Sequence, residues 1–318
     1  MNKTTRVITA VLWIVIGMDA WTTAQETPQQ EPTRPPEGTT TPTTEKKDAV
    51  RFRPIESNVI INLPSVEVPP NGTLTFLVTH RFEQPLQDGD IHNFFTLDSG
   101  NTWGFGLWYA PVKNLNVGFY RSSYLDVYEA SAQYQLPKLG GFAASLRFGE
   151  DWRTQPGVAS PHSNYFAQAI LAYSFGPYVR LTAVPTFLQR INGSVTSYIN
   201  RPPPPHDQSC EPVPAQNPTF LCSGLYENVF NVPAAISVAL THSITIHGEV
   251  TPRLGKYDAK GVGWAVTLEK SLLRHRFAFF AGNQRNTTVD QYTVGIPYDR
   301  SPKNIYIGFN LYRAWKLN

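Results

Sequence analysis

The chain has 318 residues and a formal net charge of +3, so its charge gives no reason to expect binding to nucleic acid. Charged residues make up 16% of the chain, below the roughly 25% that is usual in globular proteins, whereas aromatic residues reach 13%. No internal apolar stretch approaches the ~20 residues of a membrane-spanning helix. Low charge, many aromatic residues and no helical span are typical of a membrane β-barrel, whose lumen face is polar and whose lipid face is apolar.

Residues 1–24 have the pattern of a cleaved secretory signal peptide. Lys3 and Arg6 supply its positive start, residues 7–18 its apolar core, and small residues precede a cleavage site after Ala24. The alternative is a retained N-terminal anchor. We predict export by way of a cleaved signal.

The next segment, residues 25–56, is rich in Pro, Thr, Glu and Gln and has few apolar side chains. Such a composition cannot bury enough surface to offset the entropy of ordering, which predicts a disordered linker. The apolar run Val59–Leu63 follows and ends at Pro64. This short segment is expected either inside the lumen or against the periplasmic rim, and the sequence does not decide between the two.

From Thr73 onward, segments of alternating apolar and polar side chains recur between turn signals. Most have the nine to thirteen residues that a tilted strand needs to cross a bilayer, whereas strands of soluble proteins more often have five or six. We predict twelve strands at residues 73–82, 102–110, 115–122, 127–136, 141–149, 164–175, 178–190, 228–241, 244–254, 261–272, 275–285 and 303–315.

The predicted connections alternate in length, with short turns at every second position and mostly long loops between them, of which the longest is 191–227. This alternation is typical of an antiparallel barrel with both termini in the periplasm. A secreted β-sandwich, the alternative, has no reason to keep it and has exposed edges to protect. The predicted fold class is therefore all-β, a single antiparallel transmembrane β-barrel over residues 57–318, inserted in the bacterial outer membrane.

Strand alternation also predicts which charged side chains point into the lumen. Arg121 falls on the apolar face of its strand, so it is expected at the rim or after a bulge, and the faces of strand 275–285 are left unassigned because its phenylalanines interrupt the alternation. The lumen-lining candidates are Arg81, Glu129, Arg147, Arg180, Arg190, His247, Glu249, Arg253 and Glu269.

Two of these candidates lie on one strand and are too far apart to pair with each other. Glu249 and Arg253 are four residues apart, which is roughly 13 Å along a strand. Each is expected to find its partner across the lumen or on a neighbouring strand. The available partners are Arg180, Arg190, Glu129 and Glu269.

Several motifs resemble an uncharacterised family of bacterial β-barrel proteins, domain of unknown function 5777, over about Ile60 to Trp315. The resemblance implies an outer-membrane barrel and no established activity. The matching motifs are Ile60-Ile-Asn-Leu-Pro-Ser-Val-Glu67, His80-Arg-Phe82, Phe95-Thr-Leu-Asp98, Arg121-Ser-Ser-Tyr124, Asn164-Tyr-Phe166 and Ile307-Gly-Phe-Asn-Leu-Tyr-Arg313.

The chain has two cysteines, Cys210 and Cys222, and both lie in the longest predicted loop. An even number of cysteines at short spacing in an exported protein predicts a disulfide, here one that fixes the loop. A metal site that includes His206 is the less favoured alternative, because the ligands are too few.

The remaining chemistry favours a protein without catalytic activity. The serine–histidine pairs in predicted outer loops are His162 beside Ser160 and Ser163, and His206 near Ser209. They leave an outer-membrane hydrolase as a remote alternative. We predict no cofactor and no enzyme activity. The expected partners are outer-membrane lipid and the barrel-insertion machinery, and the oligomeric state is open.

Two functions fit the charged lumen. If its ion pairs fill the barrel, the role is structural or accessory. If they line a water-filled path, the excess of arginine predicts a narrow channel that prefers anions. We favour the filled barrel.

Overall fold

The structure is a computed structural model, and it describes residues 58–317 apart from several short gaps. The predicted signal peptide (1–24) and linker (25–56) therefore lie outside the described residues. Within the described part, no helix is both long and apolar enough to cross a membrane. The gaps are 154–161, 191–196, 200–209, 214–218, 223–227, 253, 255–258, 273, 295 and 298–301.

Most regular structure in the described residues is β-strand. One helical turn, α1 (Val289–Tyr292), and 3₁₀ helices at Leu86–Asp88, Phe94–Thr96 and Tyr124–Asp126 complete the described elements. The strands are β1 (Thr73–Phe82), β2 (Asn101–Val112), β3 (Leu115–Ser122), β4 (Val127–Gln135), β5 (Phe142–Arg153), β6 (His162–Phe175), β7 (Val179–Ala183), β8 (Thr186–Arg190), β9 (Ser197–Ile199), β10 (Cys210–Val213), β11 (Thr219–Cys222), β12 (Asn228–Asn231), β13 (Ala234–Ala239), β14 (Ile244–Thr251), β15 (Ala259–Gly261), β16 (Gly263–Leu272), β17 (His275–Gly282), β18 (Ile296–Pro297) and β19 (Tyr306–Lys316).

The large sheet closes on itself into an antiparallel barrel. β1 pairs with β2 on one side and with the last strand, β19, on the other, in a register that runs from Thr73 opposite Lys316 to Arg81 opposite Gly308. The ring is completed where β6 pairs with β7 and β8, and β7 pairs with β13. With β7–β8 and β12–β13 each counted as one interrupted strand, the barrel has twelve strands. The predicted fold class is confirmed.

The two interruptions were not predicted, and prolines cause them. Pro185 separates β7 from β8, and Pro233 separates β12 from β13 on the neighbouring strand. A proline has no N–H to donate to a ladder, so pairing breaks at both sites. The carbonyl groups still bond, since Pro233 accepts from the Val184 amide at 2.8 Å and Pro185 accepts from the Ala169 amide at 2.9 Å. The predicted continuous strands 178–190 and 228–241 are corrected accordingly.

Connection lengths define two ends of the barrel. The short-turn end carries the connections 113–114, 136–141, 176–178, 240–243 and 273–274, and the long-loop end carries the others. The longest predicted loop, 191–227, contains β9, β10 and β11, which form a separate three-stranded sheet. A second small sheet pairs β15 with β18.

The faces of the strands alternate as predicted. Along β2, apolar side chains exposed on the outside, such as Leu107 at 48% exposure, alternate with buried neighbours such as Trp108 at 5%. The structure also assigns the faces of the predicted strand 275–285, because Phe277 and Phe279 are exposed on the outside whereas Phe280 is buried. Arg121 lies at the rim, next to the end of β3, and it forms an ion pair with Asp126 at 2.8 Å.

Leu107→Arg tests which face meets lipid. Leu107 is the seventh of the twelve residues of β2, so its side chain lies near the middle of the outer surface. An arginine there is expected to lower the free energy of unfolding by about 2–4 kcal/mol, the cost of a cation near the bilayer midplane. Urea unfolding of protein refolded into lipid vesicles measures the loss. Leu107→Ile is the apolar control, and equal stability of the arginine and isoleucine variants would mean that this face does not meet lipid.

Candidate functional site: the lumen of the barrel

Seven of the nine predicted lumen-lining residues are described with their side chains, and all seven are buried on the inner face of the sheet. The backbone of Arg190 ends β8, but its side chain lies outside the description, as does the whole of Arg253. The seven described residues are Arg81, Glu129, Arg147, Arg180, His247, Glu249 and Glu269.

Residues 58–67, named here the lumen hairpin, fold back on themselves inside the barrel. Val59 bridges to Pro64, the Ile60 amide donates to the Leu63 carbonyl at 2.7 Å, and nearly every residue of the hairpin is buried. The hairpin enters from the short-turn end, where Asn116, just after the 113–114 turn, donates to the Asn58 side chain at 2.8 Å. The lumen position, one of the two that the sequence left open, is therefore the one adopted.

The tip of the lumen hairpin is held by one carboxylate. The amides of Ile61, Asn62 and Leu63 donate to Glu249 at 2.8, 3.0 and 2.9 Å. Successive amides that converge on one group form an anion-binding concavity, and hydrogen bonds to a carboxylate are among the stronger ones in proteins. The prediction that Glu249 pairs with an arginine is corrected, since the partners that the structure gives this carboxylate are backbone amides.

Further barrel side chains contact the hairpin backbone. Asn310 and Gln133 donate to the carbonyls of Ile61 and Ser65 at 2.9 and 2.8 Å. These contacts come from β19 and β4, so together with Glu249 on β14 they hold the hairpin from three separate strands.

Arg81 binds a side chain of the hairpin. It is fully buried, donates to the Asn62 side-chain oxygen at 3.2 Å and to the Phe309 carbonyl at 3.1 Å, and its guanidinium lies 3.9 Å from the centre of the Phe280 ring. The hydrogen bonds and the aromatic ring together stabilise a charge that is out of contact with water.

The base of the hairpin carries an ion-pair cluster at the short-turn rim. Glu67 contacts Lys138 at 2.7 Å and Arg180 at 3.2 Å, and it accepts a hydrogen bond from Gln135 at 3.1 Å. Burial on its own would raise the pKa of the Glu67 carboxyl, but Lys138 and Arg180 outweigh it and lower that pKa below its usual value. This residue stays charged and anchors the hairpin.

The opposite half of the lumen is filled by residues 283–294, named here the loop plug. The sequence placed most of this stretch in an outer loop, yet it turns inward and is largely buried. At its helical turn α1, the amides of Val289 and Asp290 donate to Glu129 at 3.3 Å and to Asp151 at 2.7 Å. The first amides of a helix have no carbonyl partner within the helix, so they are free to bind these two carboxylates.

Arg147 connects the loop plug to the barrel wall. It forms an ion pair with Glu129, donates to Gln168 at 3.0 Å and lies 5.2 Å from the centre of the Phe166 ring. Gln168 in turn donates to the Tyr292 hydroxyl of the loop plug at 2.9 Å. The ion pair therefore joins the neighbouring strands β4 and β5, and Gln168 connects it to the inserted loop.

A third cluster lies on β13, β14 and β16. The Ser237 hydroxyl is 2.8 Å from Nδ1 of His247, and Nε2 of His247 is 3.6 Å from Glu269, which also contacts Arg276 at 3.4 Å. Ser237, His247 and Glu269 are at most 3% exposed. Within the described residues, no group of three or more His, Cys, Asp or Glu side chains is arranged to hold a metal ion.

A small cavity remains between the lumen hairpin and the loop plug. Its volume is about 10 Å³, near the minimum for a single water molecule. The Trp108 ring that lines this cavity packs directly against Gly118. Only glycine fits there, because a Cβ on Gly118 would lie 1.8 Å from the ring. This cavity is bordered by the hairpin residues Val59, Ile61 and Asn62 on one side and by Thr287 and Tyr292 of the loop plug on the other.

Both cysteines of the predicted disulfide lie in strands whose backbone the structure describes. Cys210 in β10 lies directly opposite Cys222 in β11 in the antiparallel register. Opposed residues in an antiparallel pair are about 4.5–5.5 Å apart at Cα, a separation that a disulfide spans. The bridge itself stays a prediction. Of the predicted hydrolase pairs, Ser160, His206 and Ser209 lie outside the described residues.

Comparisons with known proteins place this barrel in context. A family model described as a membrane-bound β-barrel domain (DUF5777) matches residues 55–315, whereas a search of curated proteins found no match. The outer membrane phospholipase A of Escherichia coli is 10% identical with a TM-score of 0.41, and the alignment covers 83% of this chain and 98% of that one. CdiB from Escherichia coli is 12% identical with a TM-score of 0.35, and that alignment covers 78% of this chain and 64% of CdiB. At such scores the similarity carries no inference about activity.

Proposed function

This chain belongs to the family of membrane-bound β-barrel domains (DUF5777), and we propose that it is a closed barrel of the bacterial outer membrane with a structural or accessory role. The observation that carries this proposal is the lumen, which the hairpin 58–67 fills from the short-turn end and the loop plug 283–294 from the other. The pattern of a signal peptide at residues 1–24 supports export, with outer-membrane lipid and the barrel-insertion machinery as partners.

The second candidate, a narrow anion-preferring channel, has less support. A conducting path needs continuous water past the charged side chains. Here Glu129 and Arg147 neutralise each other, Glu249 is bound by amides, and the space left between the two inserted segments is about 10 Å³. A hydrated ion does not fit in such a space.

A hydrolase has the least support. Ser237, His247 and Glu269 have the residue types of a nucleophile, a base and an orienting carboxylate. All three are nevertheless buried, and the 3.6 Å between His247 and Glu269 is longer than a hydrogen bond. We take this cluster to be a set of polar contacts that supports the wall.

Planar-bilayer recording on the refolded protein tests the closed barrel. The wild-type protein is expected to insert without steady conductance, because both halves of its lumen are filled. Circular dichroism and resistance to unfolding in detergent serve as controls that the barrel is folded. A steady wild-type current that prefers anions would replace this proposal with the channel.

A further inference from the structure

Many of the polar contacts between the barrel and the lumen hairpin are made to the hairpin backbone. Glu249 accepts from three consecutive amides, and the Ser145 hydroxyl donates to the Val66 carbonyl. Gln135 accepts from the Val68 amide at 3.2 Å, just beyond the hairpin. A surface built in this way recognises the main chain of a tight turn, as in other modes of main-chain recognition, and the burial of Ile60, Ile61, Leu63 and Val66 adds a requirement for apolar side chains.

Besides Asn58, two hairpin side chains make contacts that add preference for particular residue types. Arg81 binds the Asn62 oxygen at 3.2 Å, and Lys138 and Arg180 bind the Glu67 carboxylate at 2.7 and 3.2 Å. The preferred ligand is therefore a turn with three free amides and an amide side chain at its tip, followed five residues later by a carboxylate.

The walls of this site do not depend on the hairpin. Every barrel strand pairs with barrel neighbours, and the bridge that the hairpin makes, Val59 to Pro64, is internal. The hairpin joins β1 through Pro70 and Asn71, both of which are exposed. Removal of the hairpin breaks no pair between strands, although it leaves Glu249 without these three donors.

We propose that the short-turn half of the lumen is a peptide-binding site, which the chain's own hairpin occupies as a ligand that can be exchanged for an equivalent peptide. Attachment to β1 keeps the hairpin at a high effective concentration, so the site is filled by default. A competing turn of the same chemistry displaces it. This proposal concerns what the site binds, and it holds or fails independently of whether the barrel conducts.

Exchange on the intact chain tests the proposal. A protease site is placed between Pro70 and Asn71 of the full-length protein, and the refolded barrel is cut there. A fluorescent synthetic peptide of residues 55–70 is then added in urea below the unfolding transition, which lets the cut segment leave. The peptide is expected to bind at one per barrel, measured by fluorescence anisotropy, and Glu249→Gln is expected to weaken binding at least about ten-fold, because the charge is lost.

A second peptide serves as the control. A peptide with Asn62→Pro lacks one amide and the acceptor for Arg81, and it is expected to bind at least about ten-fold more weakly to the cut barrel that keeps Glu249. This control stands even where the Glu249→Gln barrel does not fold. Absence of exchange at any peptide concentration, or equal binding of both peptides, would show that the hairpin is a permanent part of the wall and would overturn the proposal.

Discussion

Glu249→Ala is expected to lower the free energy of unfolding by about 3 kcal/mol or more. The substitution removes one carboxylate and leaves the amides of Ile61, Asn62 and Leu63 without their acceptor in a buried place. Each unpaired buried donor costs about 1–3 kcal/mol, and partial hydration of the hairpin recovers some of that loss. Urea unfolding in lipid vesicles measures the stability. Hydrogen exchange at residues 61–63, which is expected to become faster, locates the change.

Two variants define the cause. Glu249→Gln keeps one oxygen acceptor and loses the charge, so its stability is expected to fall between those of the wild type and the alanine variant. Glu150→Ala removes a carboxylate from the partly exposed, outward side of β5, and it is expected to change stability by no more than about 0.5 kcal/mol. Unchanged exchange at residues 61–63 in Glu249→Ala would contradict the hairpin contact.

The barrel itself was predictable because its determinants are local in the sequence. Alternation along each strand gave the inward set, and every described member of it, from Arg81 to Glu269, is buried. Turn length gave the two ends. The proline interruptions are also readable in the sequence, since Pro185 and Pro233 stand inside predicted strands and a proline lacks the N–H that a ladder needs.

The contents of the lumen were not predictable in the same way. The loop plug 283–294 is a polar stretch whose composition is that of a surface loop, and its burial depends on partners such as Glu129 and Asp151 that are far away in the chain. The apolar run of the hairpin is visible in the sequence, but its contact with Glu249 is not. The charges in the sequence predicted that Glu249 pairs with an arginine. The contact is instead made by three backbone amides, and because every residue except proline has such an amide, the sequence does not single them out.

A filled lumen also changes what the inner face tolerates. A water-filled interior would accept a larger polar side chain at Asn310, for example. Here that residue is fully buried and donates to the Ile61 carbonyl at 2.9 Å, so a longer side chain displaces the hairpin. Inner positions therefore behave like the closely packed core of a soluble protein.

Arg147→Met is expected to cost about 3–5 kcal/mol, the usual penalty for removing one partner of a buried ion pair. The substitution keeps most of the side-chain volume but leaves the Glu129 carboxylate, 4% exposed, without its cation. It also removes a hydrogen bond to Gln168, which holds Tyr292 of the loop plug. Urea unfolding is expected to show the loss, and hydrogen exchange to show a loosened loop plug.

A double-mutant cycle separates the ion pair from simple packing. Because a neutral pair of similar volume is often as stable as a buried ion pair, Glu129→Gln combined with Arg147→Met is expected to be more stable than Arg147→Met alone. The unpaired charge, rather than the lost packing, then carries most of the penalty. Costs of the two substitutions that add to within about 0.5 kcal/mol would mean that Glu129 and Arg147 act independently, and that the loop plug is held by its other contacts.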